Sequence, residues 1–251
     1  MVGHTIRKAA LRGEPSYVWR AGQERRLRLI REAAPMLAGG RVLVDGCGVG
    51  MYVAKLGSFA LCIHGLDIEL ERVVEAKRNV GGNVSAFVLC ADGIRLPYAD
   101  DSFDAVLSHE VIEHMPDDRA AVAEMVRVLR PGGRIVLFCP NRWYPVETHG
   151  IYWRGQYHFG NVPLVNYLPN ALRNRLAPHV RAYTGRGARR LFESLPVQIV
   201  THTIIYGGYD NLIARLGTVG RRIRSVLYLL EYTPLRAFGL SHFLVAEKTL
   251  G

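Results

Sequence analysis

The chain has 251 residues, 49% apolar and 22% charged, which suits one large α/β domain and excludes a disordered or fibrous chain. Its net charge of +10 is unevenly spread: nine basic and three acidic residues in 1–41, nine and fourteen in 42–140, and fourteen and five in 141–251. An acidic centre between basic flanks can meet nucleic acid, anionic lipid or an anionic substrate, or can simply be a solvated arginine-rich surface.

The amino-terminal stretch MVGHTIRKAALRGEP lacks the apolar run of a signal peptide. No segment reaches the roughly 18 uninterrupted apolar residues of a membrane-spanning helix. A cytoplasmic protein is expected, at most peripheral at a membrane surface. The four cysteines form no C-x-x-C pair, so they suggest neither a zinc ribbon nor a disulfide scaffold. Cys62, Cys90 and Cys139 lie in apolar runs and are expected to be buried.

In chain order, residues 1–16 read as poorly ordered. Over 17–37, Val18, Leu27, Ile30, Ala34 and Leu37 recur at roughly helical spacing among arginines, and Gly39-Gly40 ends the pattern. A basic helical segment over 1–40 thus precedes a domain over 41–251. Strand signals at 41–45, 60–67, 83–91, 103–108 and 134–139 alternate with helical signals at 50–59, 69–79 and 118–129. That rhythm implies right-handed βαβ units and a mostly parallel, doubly wound α/β sheet with helices on both faces. Residues 141–181 break the pattern with mixed Pro, Gly, Tyr, Trp and His, which reads as a lid or insertion. A helix (185–195), a strand (196–206), a helix (211–230) and a strand (241–248) follow.

The sharpest motif is VLVDGCGVG, residues 42–50: a buried strand running into D-G-x-G-x-G and a helix. Glycines allow positive φ and close approach of a ligand to the backbone, and doubly wound sheets bind ligands at the carboxyl ends of their strands. A dinucleotide fingerprint would need a third glycine at position 51 or 53, where Met51 and Val53 stand. A phosphate-binding P-loop would need G-K-[ST], which is missing. Asp67, at the end of the second strand and 22 residues after Asp45, stands where a carboxylate grips ribose hydroxyls, although an aspartate there also suits a helix cap. Asp92, in CADG after the third strand, can accept an adenine amine or serve a turn.

These residues resemble the class I S-adenosylmethionine-dependent methyltransferases of the type 11, ubiquinone-biosynthesis-like group. The matching stretches are VLVDGCGVG, GLDIE, CADGIRLPYADDSFDAVLSHEVIEHM and EMVRVLRPGGRIVLFCPN. The resemblance implies a seven-stranded sheet of order 3-2-1-4-5-7-6 with strand seven antiparallel. It implies S-adenosylmethionine as cofactor and S-adenosylhomocysteine as product. Asp45 with Gly46, Gly48 and Gly50 would hold the methionine moiety, Asp67 and Ile68 would lie at the ribose, Asp92 and Gly93 beside the adenine, and Ser108 and His109 would line the site.

Methyl transfer from a sulfonium is an in-line displacement that requires alignment and exclusion of water, with a general base when the acceptor is a hydroxyl. His109, directly after strand four, and His149, on the lid, are the candidate bases, with Glu110, Glu113 and His114 beside them. Glu110, Glu113 and His114 form E-x-x-E-H, whose spacing can share one helical face. In ubiquinone-type O-methyltransferases a similar motif is associated with a divalent metal; none is expected here. Arg20 is a candidate to cap the cofactor carboxylate. The aromatic-rich lid suits a small lipophilic or aromatic acceptor methylated on oxygen. An RNA methyltransferase and a non-catalytic cofactor-binding protein are the alternatives; no RNA-binding module is recognisable, and nucleic acid is not an expected partner. Near the carboxyl end, Leu212, Leu216, Val219, Ile223, Val226 and Leu230 follow a 4-3-4-3-4 spacing beside Arg215, Arg221, Arg222 and Arg224. Such a basic amphipathic helix can lie on a membrane, or pack on the sheet or on a second subunit, so monomer and homodimer both remain open.

Overall fold

The computed structural model describes residues 17–82 and 85–250. The disorder expected over 1–16 and the start of the third strand at 83–84 lie outside the described residues. In chain order the elements are α1 (Ala21–Ala33), β1 (Arg41–Asp45), α2 (Met51–Gly57), β2 (Cys62–Asp67), α3 (Leu70–Val80), β3 (Ala86–Cys90), β4 (Phe103–His109), α4 (Asp118–Val128) and β5 (Leu129–Pro140). The inserted segment over 141–181, for which the label lid is kept, holds β6 (Val146–Glu147), β7 (Ile151–Trp153), β8 (Gln156–His158), β9 (Val162–Pro163) and α5 (Asn170–Leu176). Then come α6 (Gly185–Arg190), β10 (Val197–Ile205), α7 (Asp210–Leu230) and β11 (Ser241–Lys248).

The strands form one sheet of order β3-β2-β1-β4-β5-β11-β10. Only β11 runs against its neighbours, pairing antiparallel with both β5 and β10. This is the expected 3-2-1-4-5-7-6 arrangement. Side chains alternate across the pleat, so successive residues of one strand feed different cores. Val42 and Val44 face a core that takes Leu27 and Ile30 from α1, Val53 and Leu56 from α2, and Val73 and Ala76 from α3. Leu43 faces the opposite core, with Val122 and Met125 from α4 and Ala188 from α6. Chain order reverses at β1, which lies between β2 and β4, and a ligand site is expected outside its carboxyl end.

Several elements depart from their sequence expectation for local reasons. The fifth strand starts five residues early, because Arg130-Pro131-Gly132-Gly133 bulges out of the ladder between the Phe103–Leu129 and Ala105–Arg134 pairs. Cys139 is buried as expected, but Cys62, the first residue of β2, is half-buried, and Cys90 is exposed because β3 is an edge strand with a solvated face. The lid, which shows no clean period in sequence, folds as two small two-stranded sheets, β6 with β9 and β7 with β8.

Ile30 of α1 is fully buried beneath the sheet. Ile30→Ala should lower unfolding stability by about 2–5 kcal/mol, read as a fall in melting temperature; a change within error would show that α1 docks loosely.

Candidate active site

The chain turns out of the sheet immediately after Asp45. Gly46, Gly48 and Gly50 have φ of +66°, +54° and +83°, values that a side chain would strain. A Cβ on Gly46 would also lie 2.4 Å from a methyl of Val111, so the loop touches the segment after β4. The loop is tied to the next strand. The Gly48 N–H donates to Asp67 Oδ2 at 3.0 Å, and the Glu69 N–H donates to Asp67 Oδ1 at 2.9 Å. Asp67 is buried and does not cap α3, whose N-cap is Glu69. Ile68 beside it is exposed.

Asp92 lies in the exposed turn after β3 and accepts the Ile94 N–H at 3.1 Å. Gly93 is buried, and a Cβ there would lie 2.7 Å from Asp45 Oδ1. Only a bare backbone fits between this turn and the end of β1. Ser108 on β4 pairs in register with Asp45; it is fully buried and its hydroxyl makes no hydrogen bond. Asp45, Gly46, Gly48, Gly50, Asp67, Ile68, Gly93 and Ser108 therefore gather at one edge of the sheet, with Asp92 at its rim.

Asp45 is buried, and neither carboxylate oxygen makes a hydrogen bond of normal geometry. Burial, then the charges of Asp67 and Asp92, push its carboxyl up to about 7, against a weaker pull from the Gly46 amide. This concentration of negative charge favours a cation and hydroxyl donors and opposes a pyrophosphate.

Beyond β4 lies a second group of residues. Glu110 has φ +54°, so the chain bends sharply and E-x-x-E-H does not form one helical face. Only Ile112–His114 coil, as a single 3₁₀ turn. Arg26 of α1 enters here. It donates to His109 Nε2 at 2.9 Å, to Glu110 Oε1 at 3.2 Å and to Ser241 Oγ at 3.0 Å. A guanidinium only donates, so the proton of His109 resides on Nδ1 and its Nε2 lone pair is occupied. Burial, then the Arg26 charge, hold His109 well below its ordinary range. This arrangement opposes proton uptake by His109. Arg20, the sequence candidate, is instead the exposed N-cap of α1. Arg26, two turns further along, was missed among the many arginines of that helix.

His149 belongs to a third group. Its Nδ1 is 3.0 Å from Glu147 Oε1, and its Nε2 is 4.0 Å from Glu113 Oε1. The Tyr157 hydroxyl and His179 Nε2 both bond the His149 carbonyl, at 2.6 and 3.1 Å. Glu147 is buried and paired with buried Arg173 at 2.8 Å. Burial alone would raise the Glu147 carboxyl, but His149 and Arg173 hold it at about 2. Arg173 further donates to Asn166 Oδ1 and to the Val180 carbonyl. Glu113 is buried with neither oxygen in a hydrogen bond of normal geometry, and burial together with Glu110 pushes its carboxyl well above the ordinary range. His109 and His149 thus occupy separate networks.

Ionising Asp45 inside the fold destabilises the protein. The carboxyl is neutral in both folded and unfolded states below about pH 4 and charged in both above about pH 7, so the cost grows between these values and is full above 7. Asp45→Asn should therefore stabilise the ligand-free protein by up to roughly 3–4 kcal/mol above pH 7 and by nothing below pH 4. Melting curves of both proteins across this range check it; a gain independent of pH refutes it.

A family model described as "Methyltransferase domain" matches residues 43–137. Among curated proteins, methyltransferase GfsG of Streptomyces halstedii is 38% identical over 118 residues, covering 45% of this chain and 42% of GfsG. The O-methyltransferase cnsE of Penicillium expansum is 36% identical over 117 residues, covering 44% of this chain and 42% of cnsE. The chain thus spans under half the length of these relatives. Among solved structures, the [4+2]-cyclase SpnF superposes with a TM-score of 0.63 at 18% identity, covering 98% of this chain and 91% of SpnF; that likeness concerns the fold. The matched segment carries the glycine loop, Asp67, Asp92 and the turn after β4, so over residues 43–137 the chain is similar to a methyltransferase domain.

Proposed function

We propose that the chain binds S-adenosylmethionine along the carboxyl edge of β1 to β4 and transfers its methyl group to an oxygen of a small lipophilic or aromatic acceptor. The observation that carries this reading is the unpartnered Asp45 carboxylate, buried between a glycine loop and the bare backbone of Gly93. A buried charge without a partner is costly, and the ammonium group of a methionine moiety would supply one. When bound, the cofactor supplies a methyl group already activated by its sulfonium charge.

The chain's own residues then have three tasks. Asp67 shapes the loop and offers its remaining lone pairs to ribose hydroxyls, with Ile68 and Gly93 lining the nucleoside. Val111, packed on Gly46, closes the base of the site and excludes water. Activation of an acceptor hydroxyl falls to the Glu113–His114–His149 group rather than to His109, whose lone pair Arg26 holds. His109 acts as a positioning residue beside Tyr52, 4.8 Å away between ring centres. The acceptor class rests on relatives named as O-methyltransferases and on the aromatic side chains of the lid.

The exposed side of α7 bears on where such an acceptor is met. No helix among the described residues is long and apolar enough to cross a membrane. Leu216, Val219, Ile223 and Val226 are nonetheless 38–57% exposed along one face, with Arg215, Arg221 and Arg222 exposed around them. Gly217 breaks the helix with φ 53° and ψ −120°. We read this face as a peripheral contact with anionic lipid.

Asp67→Ala should weaken S-adenosylhomocysteine binding at least tenfold in calorimetric titration while the fold persists by circular dichroism. Unchanged affinity, or no affinity in the parent protein, overturns the cofactor assignment. For the lipid contact, co-sedimentation with vesicles containing anionic lipid should fall when Val219 and Ile223 are both changed to Ser. Equal binding to neutral vesicles, or none, refutes that contact.

A further inference from the structure

The Glu113–His114–His149 group has a donor arrangement that proton chemistry alone does not explain. The ligating atoms of the three side chains lie within 4.8 Å of one another. Two of the residues come from the turn after β4 and the third from the lid, so the lid completes the group. His149 Nδ1 lies 3.0 Å from Glu147 Oε1, whose carboxylate is paired with Arg173, so that nitrogen bears the proton and Nε2 bears the lone pair. His114 Nδ1 faces the His179 carbonyl at 3.3 Å, which fixes the same tautomer. Two imidazole lone pairs therefore converge on Glu113, whose side chain is fully buried with neither oxygen in a hydrogen bond of normal geometry. The cations on either side are committed elsewhere: Arg173 to Glu147, and Arg26 to His109, Glu110 and Ser241.

We propose that Glu113, His114 and His149 form a binding site for a borderline divalent transition-metal ion of the zinc class. Two imidazoles and one carboxylate suit zinc, iron or nickel better than magnesium, which takes oxygen donors. The outer contacts are those that orient metal ligands: Glu147 behind His149 and the His179 carbonyl behind His114. Donor atoms in a tetrahedral zinc site lie about 3.3 Å apart, so the three side chains close on an ion by small rotations. Arg26 and Ser241 hold Glu110, and the set thus differs from the E-x-x-E-H trio visible in sequence. His149 keeps 19% of its side chain exposed, which leaves an open side for a further ligand. A hydroxyl oxygen of the acceptor bound there would lose its proton to solvent more readily.

This site concerns the same acceptor region as the methyl-transfer reading, and its test does not depend on turnover. Full-length protein stripped with a chelator is titrated with Zn²⁺ by calorimetry, and with Co²⁺ by visible absorption, with Mg²⁺ in excess as competitor. One equivalent of each transition metal should bind, Mg²⁺ should not displace it, and Co²⁺ should give the intense bands of a low-coordinate site. Glu113→Gln and His149→Asn should each weaken binding about 100-fold. Glu147→Gln should weaken it about tenfold, and all three variants should retain S-adenosylhomocysteine affinity. No saturable binding, or equal Zn²⁺ affinity in the Glu113 and His149 variants, overturns the metal site, and retained cofactor affinity then leaves the methyl-transfer reading standing. Metal binding without cofactor affinity supports the site and removes that reading.

Discussion

One hydrogen bond, from the Gly48 amide to Asp67, organises the ligand edge of this molecule. It joins the loop after β1 to the end of β2, so the loop cannot be placed independently of the neighbouring strand. With the loop fixed, Asp45 lies under it, Gly93 closes on Asp45 and Val111 closes on Gly46. The resulting pocket edge is acidic, apolar beneath, and built from backbone that tolerates no side chains. Its electrostatics favour a ligand bearing positive charge and hydroxyls over one bearing phosphates.

The lid follows a different principle. Its interior sets Glu147, Asn166, Arg173 and His179, all buried, among the buried apolar Val165, Ala177 and Val180. Burying ions is a poor route to stability, and an apolar interior would serve a mere cover better. The Glu147–Arg173 pair fixes the imidazole of His149, while Tyr157 and His179 fix its backbone. The lid's chemistry thus orients one side chain toward the turn after β4.

Legibility in the sequence divided along the same line. The sheet order and the gathering of the glycine loop, Asp45 and Asp67 at one edge were readable because their signals are local: β-branched runs, the spacing of glycines, an aspartate at the end of β1 and of β2. Gly46 and Gly50 show as glycines because no other residue takes their φ comfortably. The second half of the site was less legible because its contacts span the chain. Arg26 is one arginine among several on α1, and nothing in its neighbourhood marks it as the residue that meets His109 and Ser241, 83 and 215 residues away. Glu147 and Arg173 lie 26 residues apart, in a segment without period, and only folding reveals them as partners. The helical reading of E-x-x-E-H failed on a single backbone angle, the positive φ of Glu110.

The meeting of Arg26, Glu110 and Ser241 has a bearing on how the molecule matures during synthesis. The three belong to α1, to the bend after β4 and to β11. Residues 43–137, with the glycine loop, leave the ribosome first, and the wall around His109 waits for a strand made some hundred residues later. Until β11 inserts between β5 and β10, Arg26 has no hydroxyl to meet and Glu110 no second donor. A nascent chain therefore carries every residue of the glycine-loop edge before the contacts around His109 can form, and insertion of β11 is the event that completes them.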